Sequence, residues 1–252
     1  GFLQLPLLFI FLNQPINVKY IKNLFKNDAI KFYSIFFIFF LLIIFTSTEY
    51  LTPGDKYRWV AIKQFIKFKG FTNVSYDFRN MSPFSAEIFL LIGMVLRGES
   101  LALMLNILFP LFLTISVFEY FTIEEKIQFK ISLFFTFIFF MNANFLIDGP
   151  RGYISNTIAF FIWLTYLSIH RWNKTNNDKF FIISLFFAGF VAGTKLHSIF
   201  ILFFLGLFIF FKSKENVYNS QQLKLSLKNT SIFFIFSFFK ASHWYLRNFY
   251  YT

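Results

Sequence analysis

Residues 180–211 read FFIISLFFAGFVAGTKLHSIFILFFLGLFIFF, an apolar stretch of 32 residues. A helix crossing a bilayer needs about 20 apolar residues, so this run is too long for one span. Gly189, Gly193, Thr194, Lys195 and His197 interrupt it, and it reads as two helices meeting at GTKLHS. Blocks of the same kind fill the rest of the chain. The sequence is 57% hydrophobic, 25% aromatic and only 14% charged, whereas roughly a quarter of an average globular sequence is charged. With too little polar surface to meet water on all sides, the chain reads as all-α, a polytopic transmembrane helical bundle.

The basic segments orient the spans. Lys19, Lys22, Lys26 and Lys31 follow a first apolar block at residues 1–12 and mark a cytoplasmic segment by the positive-inside rule. Residues 32–48 then run outward to Glu49. The segment 49–99 is expected to be an extracytoplasmic loop with membrane-edge helices. Within it, residues 56–69 are amphipathic, Trp59, Ile62, Phe65 and Ile66 sharing a face at helical spacing. Residues 84–96 are apolar over about 20 Å of helix, short of a roughly 30 Å hydrocarbon core, and read as embedded without crossing. With that parity, 101–118 runs inward, 131–141 outward and 156–169 inward. The basic loops at 170–179 and 212–228 both fall inside. Residues 232–239 begin a last outward helix, leaving KASHWYLRNFYYT at the outer face, where His243 and Trp244 read as interfacial anchors.

The net charge of +12 follows these loops and does not indicate nucleic acid. Without Cys there is no disulfide, thiolate metal site or thiol nucleophile. The outer loop 49–83 departs from the pattern: Lys56, Arg58, Lys63, Lys67, Lys69 and Arg79 against Glu49, Asp55 and Asp77 leave it at +3. Arg151, Lys195, Lys240 and Arg247 join it on the outer side. Each of these alone reads equally as a snorkelling residue, but together they suit an anionic headgroup such as a lipid phosphate. The acids on that side are Glu49, Asp55, Asp77, Glu87, Glu99 and Asp148, and a general base for an outward-facing site would come from among them. Asp55, in TPGDKYRW, is either that base or a turn residue after Pro53 and Gly54. Glu87 on its short apolar helix is either catalytic or a paired structural carboxylate. Lys195, just after Gly189 and Gly193, has room to hold a phosphate, and His197 beside it reads as a ligand or an interface hydrogen-bonding residue. Arg247 with Asn248 suits a bidentate grip on phosphate or a snorkelling anchor.

The stretches EYLTPGDKYRWVAIKQFIKFKGF and SPFSAEIFLLIGMVLRGESLALMLNILFPLFL resemble bacterial polyprenyl-phosphate-sugar-dependent glycosyltransferases, the superfamily of protein O-mannosyltransferases and the lipid A aminoarabinose transferase. Asp55, Gly70, Pro83 and Glu87 occupy that family's Asp, Gly, Pro and Glu positions. Lys195 in the Gly-rich stretch matches its lysine, and HWYLRN matches the segment before its Gly-Asn-Pro turn. The resemblance runs from residue 49 to 252 and stops just short of that turn, so the chain reads as an N-terminal fragment, inactive alone. Where relatives carry a second Asp, this chain has Ser155; Asp148 lies seven residues earlier. The resemblance implies an inverting transferase in a bacterial inner membrane, active on the outer face. It would move a sugar from a polyprenyl-phosphate donor to a hydroxyl of a lipid, glycan or protein acceptor. Asp55, Glu87 and Asp148 would be catalytic, and Lys56, Arg58, Lys195, His197 and Arg247 would bind substrate. No cofactor is required by the sequence, and a divalent metal stays open because of Ser155. The rival readings are a lipid-linked glycan polymerase or flippase and a noncatalytic membrane scaffold. A flippase path needs charge within the spans, which are almost free of it.

Overall fold

The computed structural model describes Ser34, Ile38 and residues 56–69, 85–140, 153–195, 197–212 and 220–251. Among these every regular element is helical, as the composition requires. The helices are α1 (Lys56–Phe68), α2 (Glu87–Arg97), α3 (Glu99–Glu119), α4 (Phe129–Phe140), α5 (Ser155–Thr175), α6 (Asp178–Ala192), α7 (Ser198–Lys212) and α8 (Ser220–Tyr251). Of the expected outward span at 32–48, only Ser34 and Ile38, both helical, are among the described residues.

The amphipathic segment forms α1, with Trp59 and Ile62 buried and Lys63 and Lys67 exposed. The short apolar segment forms α2, only 11 residues long and so about 16 Å. Gly98 alone links α2 to α3, at φ 83°, a left-handed conformation that costs glycine nothing. The chain therefore folds back on itself, and Gly93 meets the backbone of Ala102 so closely that no side chain fits between them. Phe89 reaches Phe109, ring centroids 4.8 Å apart. Thus α2 lies along the first half of α3.

With the turn that follows it, α3 gives one helix, Glu99–Glu124, long and apolar enough to cross a membrane, at a mean hydropathy of 2.3. Pro110 lies inside α3, where it cannot donate to the Asn106 carbonyl. The Thr114 hydroxyl donates to the Pro110 carbonyl at 2.7 Å. The final turn, Tyr120–Glu124, is π-helical, the Glu125 N–H donating to the Tyr120 carbonyl at 3.0 Å. It brings Glu124 and Glu125 against the end of α5: Arg171 Nε donates to Glu124 at 2.7 Å and Lys174 Nζ to Glu125 at 3.0 Å. The segments 119–130 and 170–179 thus meet at one end of the bundle.

Two expectations need correction. Residues 170–179 are mostly helix, because α5 runs on to Thr175 and only Asn176 and Asn177 separate it from α6. Asn176 takes the left-handed conformation at φ 51°, which asparagine tolerates, and the Asn177 side chain accepts the Lys179 N–H at 3.1 Å as the N-cap of α6. The last helix is also far longer than residues 232–239. It runs without a break through Ser220–Tyr251, about 48 Å, because nothing in the polar start or the aromatic end breaks helical geometry. The split at GTKLHS is as expected, with α6 ending at Ala192 and α7 beginning at Ser198.

In packing order α3 lies on α2 and α5, α5 on α6, and α8 on α6 and α7. Large apolar side chains cover the outside as well as the core: Phe200 is 71% exposed, Phe204 67% and Phe239 75%. Apolar surface on this scale marks contact with something other than water.

Candidate functional site

The end of the bundle opposite Glu124 and Glu125 brings together the start of α2 with Glu87, the α6–α7 turn with Lys195 and His197, and the C-terminal part of α8. Its centre is a knot of three chain segments distant in sequence. The Ser85 N–H donates to the Gly193 carbonyl at 2.9 Å, and the Trp244 indole N–H donates to Ser85 Oγ at 2.8 Å. The Tyr245 hydroxyl donates to the Ala192 carbonyl at 2.9 Å. Gly193 leaves this contact its space: a Cβ would lie 2.4 Å from Ser85 Oγ and 3.1 Å from Trp244 Cδ1, so the Ser85 hydroxyl would have to move. The start of α2, the turn after α6 and the C-terminal part of α8 are thereby fixed together.

Around the knot, Trp59 and Ile62 of α1 pack with Ala86, Leu90, Ala102, Leu103, Ile154, Ile158 and Trp244. The helix whose first residue follows Asp55 in sequence is therefore docked on the same core as α2 and α8. Lys63 pairs with Glu99 at 2.6 Å. Both side chains are at least half exposed, so the pair contributes about 1 kcal/mol at most, and its main effect is to occupy Glu99. Deeper in, Asn106 Nδ2 donates to the Tyr153 carbonyl at 2.9 Å and the Thr157 hydroxyl donates to Asn106 Oδ1 at 3.1 Å. These bonds tie the first turn of α5, and with it Ser155, to the middle of α3.

Glu87 is 1% exposed, in the first turn of α2 and two residues from Ser85. The position suits a carboxylate electrostatically, since a helix N-terminus stabilises negative charge. Lys195 is half-buried in the α6–α7 turn, where its carbonyl accepts the Ser198 N–H at 3.0 Å, and His197 is exposed. Thr194 is buried, its hydroxyl donating to the Phe190 carbonyl at 2.7 Å. Glu87 and Lys195 thus flank the Ser85–Gly193 contact, each two residues from it. Asp55 and Asp148 lie outside the described residues. Lys56, Arg58 and Arg247 are placed only as backbone positions, the first two in the first turn of α1 and the last near the end of α8.

Trp244 corrects the sequence reading. It is 4% exposed and hydrogen-bonded inside the knot, so it is a packing residue and not an interfacial anchor; its neighbour His243 is exposed. Ser85 was not anticipated at all. Its only trace in the sequence is a small polar residue just before an apolar helix, which reads as an ordinary helix start. Among the described residues no three metal-ligating side chains gather. No protein-family model matches the chain, and no curated protein or solved structure matches it either.

Proposed function

We propose that the chain is part of a polytopic membrane glycosyltransferase. It moves a sugar from a polyprenyl-phosphate donor to an acceptor hydroxyl at the extracytoplasmic face. The observation that carries this reading is the convergence, at one end of the helical bundle, of the Glu87 segment, the Lys195 turn and the HWYLRN segment. The apolar exterior and the membrane-length helix Glu99–Glu124 support a bilayer as the surrounding solvent. Asp55 acts as the base that takes the proton from the acceptor hydroxyl, which attacks the anomeric carbon from the face opposite the leaving phosphate. The anomeric C–O bond to phosphate breaks, the new glycosidic bond forms, and the configuration inverts. Arg58, Lys195 and Arg247 neutralise the negative charge that grows on the departing lipid phosphate. Buried Glu87 holds the start of α2 in place beside this site, and the donor's isoprenoid tail lies along the apolar helices.

Two substitutions in the full-length protein separate chemistry from binding. Asp55→Asn keeps the side chain's shape and removes its proton acceptor, so transfer should fall by roughly 10²-fold or more while donor affinity is kept. Lys195→Ala removes a cation paired with phosphate in the ground state as well as the transition state, so donor affinity itself should weaken. Transfer at the normal rate by the Asn variant would remove Asp55 from the mechanism. Unchanged donor affinity in the Ala variant would return Lys195 to the snorkelling class.

A further inference from the structure

Between α3, α4, α5 and α7 lies an open-sided cavity of about 750 Å³, within the roughly 300–1,000 Å³ of small-molecule sites. Its walls are hydrocarbon and aromatic: Leu113 and Val117 from α3, Phe135 and Ile138 from α4, Ile162 from α5 and Leu205 from α7. The polar side-chain atoms among its described lining residues are the Tyr166 hydroxyl and the Trp163 indole N–H, which is donated to Ser116 Oγ at 2.9 Å. The space is open to the outside, and with so few polar partners along its walls it holds water poorly, while an apolar occupant would gain dispersion contacts with them.

Position and surroundings narrow the occupant. Residues 113–121 are the last part of the Glu99–Glu124 helix, so the cavity lies in the half of the bundle away from Glu87 and Lys195. A layer of rings separates the two, with Phe161 and Phe190 only 4.1 Å apart between centroids and Phe89 and Phe109 beside them. The α4 wall is a single helix thick. Phe135 and Ile138 are 53% and 54% exposed, so the side chains lining the cavity also meet the apolar exterior. At the other end the lining reaches Tyr166 and Phe121, beside the polar cluster of His170, Glu125, Lys174, Arg171 and Glu124. The Tyr166 and His170 rings stack at 5.9 Å, and Arg171 and Lys174, each in an ion pair, remain nearly half exposed. An apolar chamber that opens toward hydrocarbon and ends at half-exposed, charge-balanced ion pairs matches a zwitterionic amphiphile.

We infer that this cavity is a binding site for one acyl chain of a membrane phospholipid whose phosphate lies beside Arg171 and Lys174, in the leaflet opposite the candidate transferase site. The inference rests on the membrane part of the proposed function and is independent of its chemistry. The test uses the protein in vesicles of phosphatidylcholine brominated at mid-chain, since bromine quenches tryptophan on contact. Trp163, in the cavity wall, is the reporter, and its signal is the difference between the protein and its Trp163→Phe variant. That signal should be quenched by more than half. Ala159→Phe, which fills the cavity from α5, should reduce the quenching at least about twofold, and Val117→Phe, filling it from α3, should do the same. A Phe239→Trp reporter on the exposed face of α8 should be quenched in every background. Quenching at position 239 with none at Trp163, or Trp163 quenching indifferent to both fillings, would overturn the lipid site while leaving the membrane reading intact. Absence of quenching at position 239 would overturn both.

Discussion

Gly193→Ala should destabilise the bundle by about 2–4 kcal/mol, and the reason is local. The new Cβ would stand 2.4 Å from Ser85 Oγ and 3.1 Å from Trp244 Cδ1. The hydroxyl is the more movable of the two and would rotate away. Rotation breaks its bond with the Trp244 indole, leaving a buried N–H without its acceptor, at a cost of about 1–3 kcal/mol. The ring contact that remains at 3.1 Å adds about 1–2 kcal/mol of overpacking, since Trp244 is fixed by the α8 backbone. Ser85→Ala orphans the same indole N–H without the clash and should cost about 1–3 kcal/mol. Because both variants lose one and the same hydrogen bond, the double variant should be less destabilised than the sum of the singles, by about 1–3 kcal/mol. Reversible unfolding in mixed detergent micelles, followed through tryptophan fluorescence, measures all three. A Gly193→Ala variant as stable as the parent, or a double variant whose loss equals the sum, would refute the knot as the element that unites α2, α6 and α8.

Topology is open to labelling, because the absence of native Cys makes introduced ones unambiguous. Cysteines replacing Lys69 and Lys195 should react with an impermeant thiol reagent from outside and those replacing Lys174 and Lys214 should not; labelling at 174 in intact cells would mean that α2 belongs to a full crossing. At the other end, hydrogen bonds from Lys174 first and Tyr120 second hold the Glu125 carboxyl below its ordinary value. A depressed carboxylate contributes stability above its unfolded value, roughly pH 4.3, and loses it as pH falls through the lower folded value. Lys174→Met should therefore lower stability slightly at neutral pH, with the difference from the parent fading as pH falls through the lowered value of the folded Glu125 carboxyl, and a difference that persists unchanged in stronger acid would assign the effect to lost packing. The π-helical turn is testable through the same contacts: Arg171→Ala should raise hydrogen exchange of the Glu124 and Glu125 amides and leave those of α6 as they were.

The sequence by itself determined the class of fold and most of its segmentation. Period and block length are local quantities, so α1, the short α2, the break at GTKLHS and the two ends of the bundle could be read from residue order and the placement of Lys and Arg. Where helices stop was less legible. Residues 170–179 and 212–228 are polar enough to read as loops, yet α8 already begins at Ser220, and helical hydrogen bonding continues through polar residues until something such as Asn176 ends it. What only the tertiary structure decided is which distant residues meet. No local signal links Ser85 to Trp244 across 159 positions, and nothing in an aromatic tail distinguishes a buried, hydrogen-bonded indole from one lying at a membrane surface. The cavity between α3, α4, α5 and α7 is equally absent from the sequence, because an empty space depends on how four helices lean against one another. Glu87 shows both levels in one residue. Its place on a short apolar helix was evident from the sequence, while its near-complete burial beside the Ser85–Gly193 contact follows from the hairpin that Gly98 permits and from the packing of α1 and α8 over it.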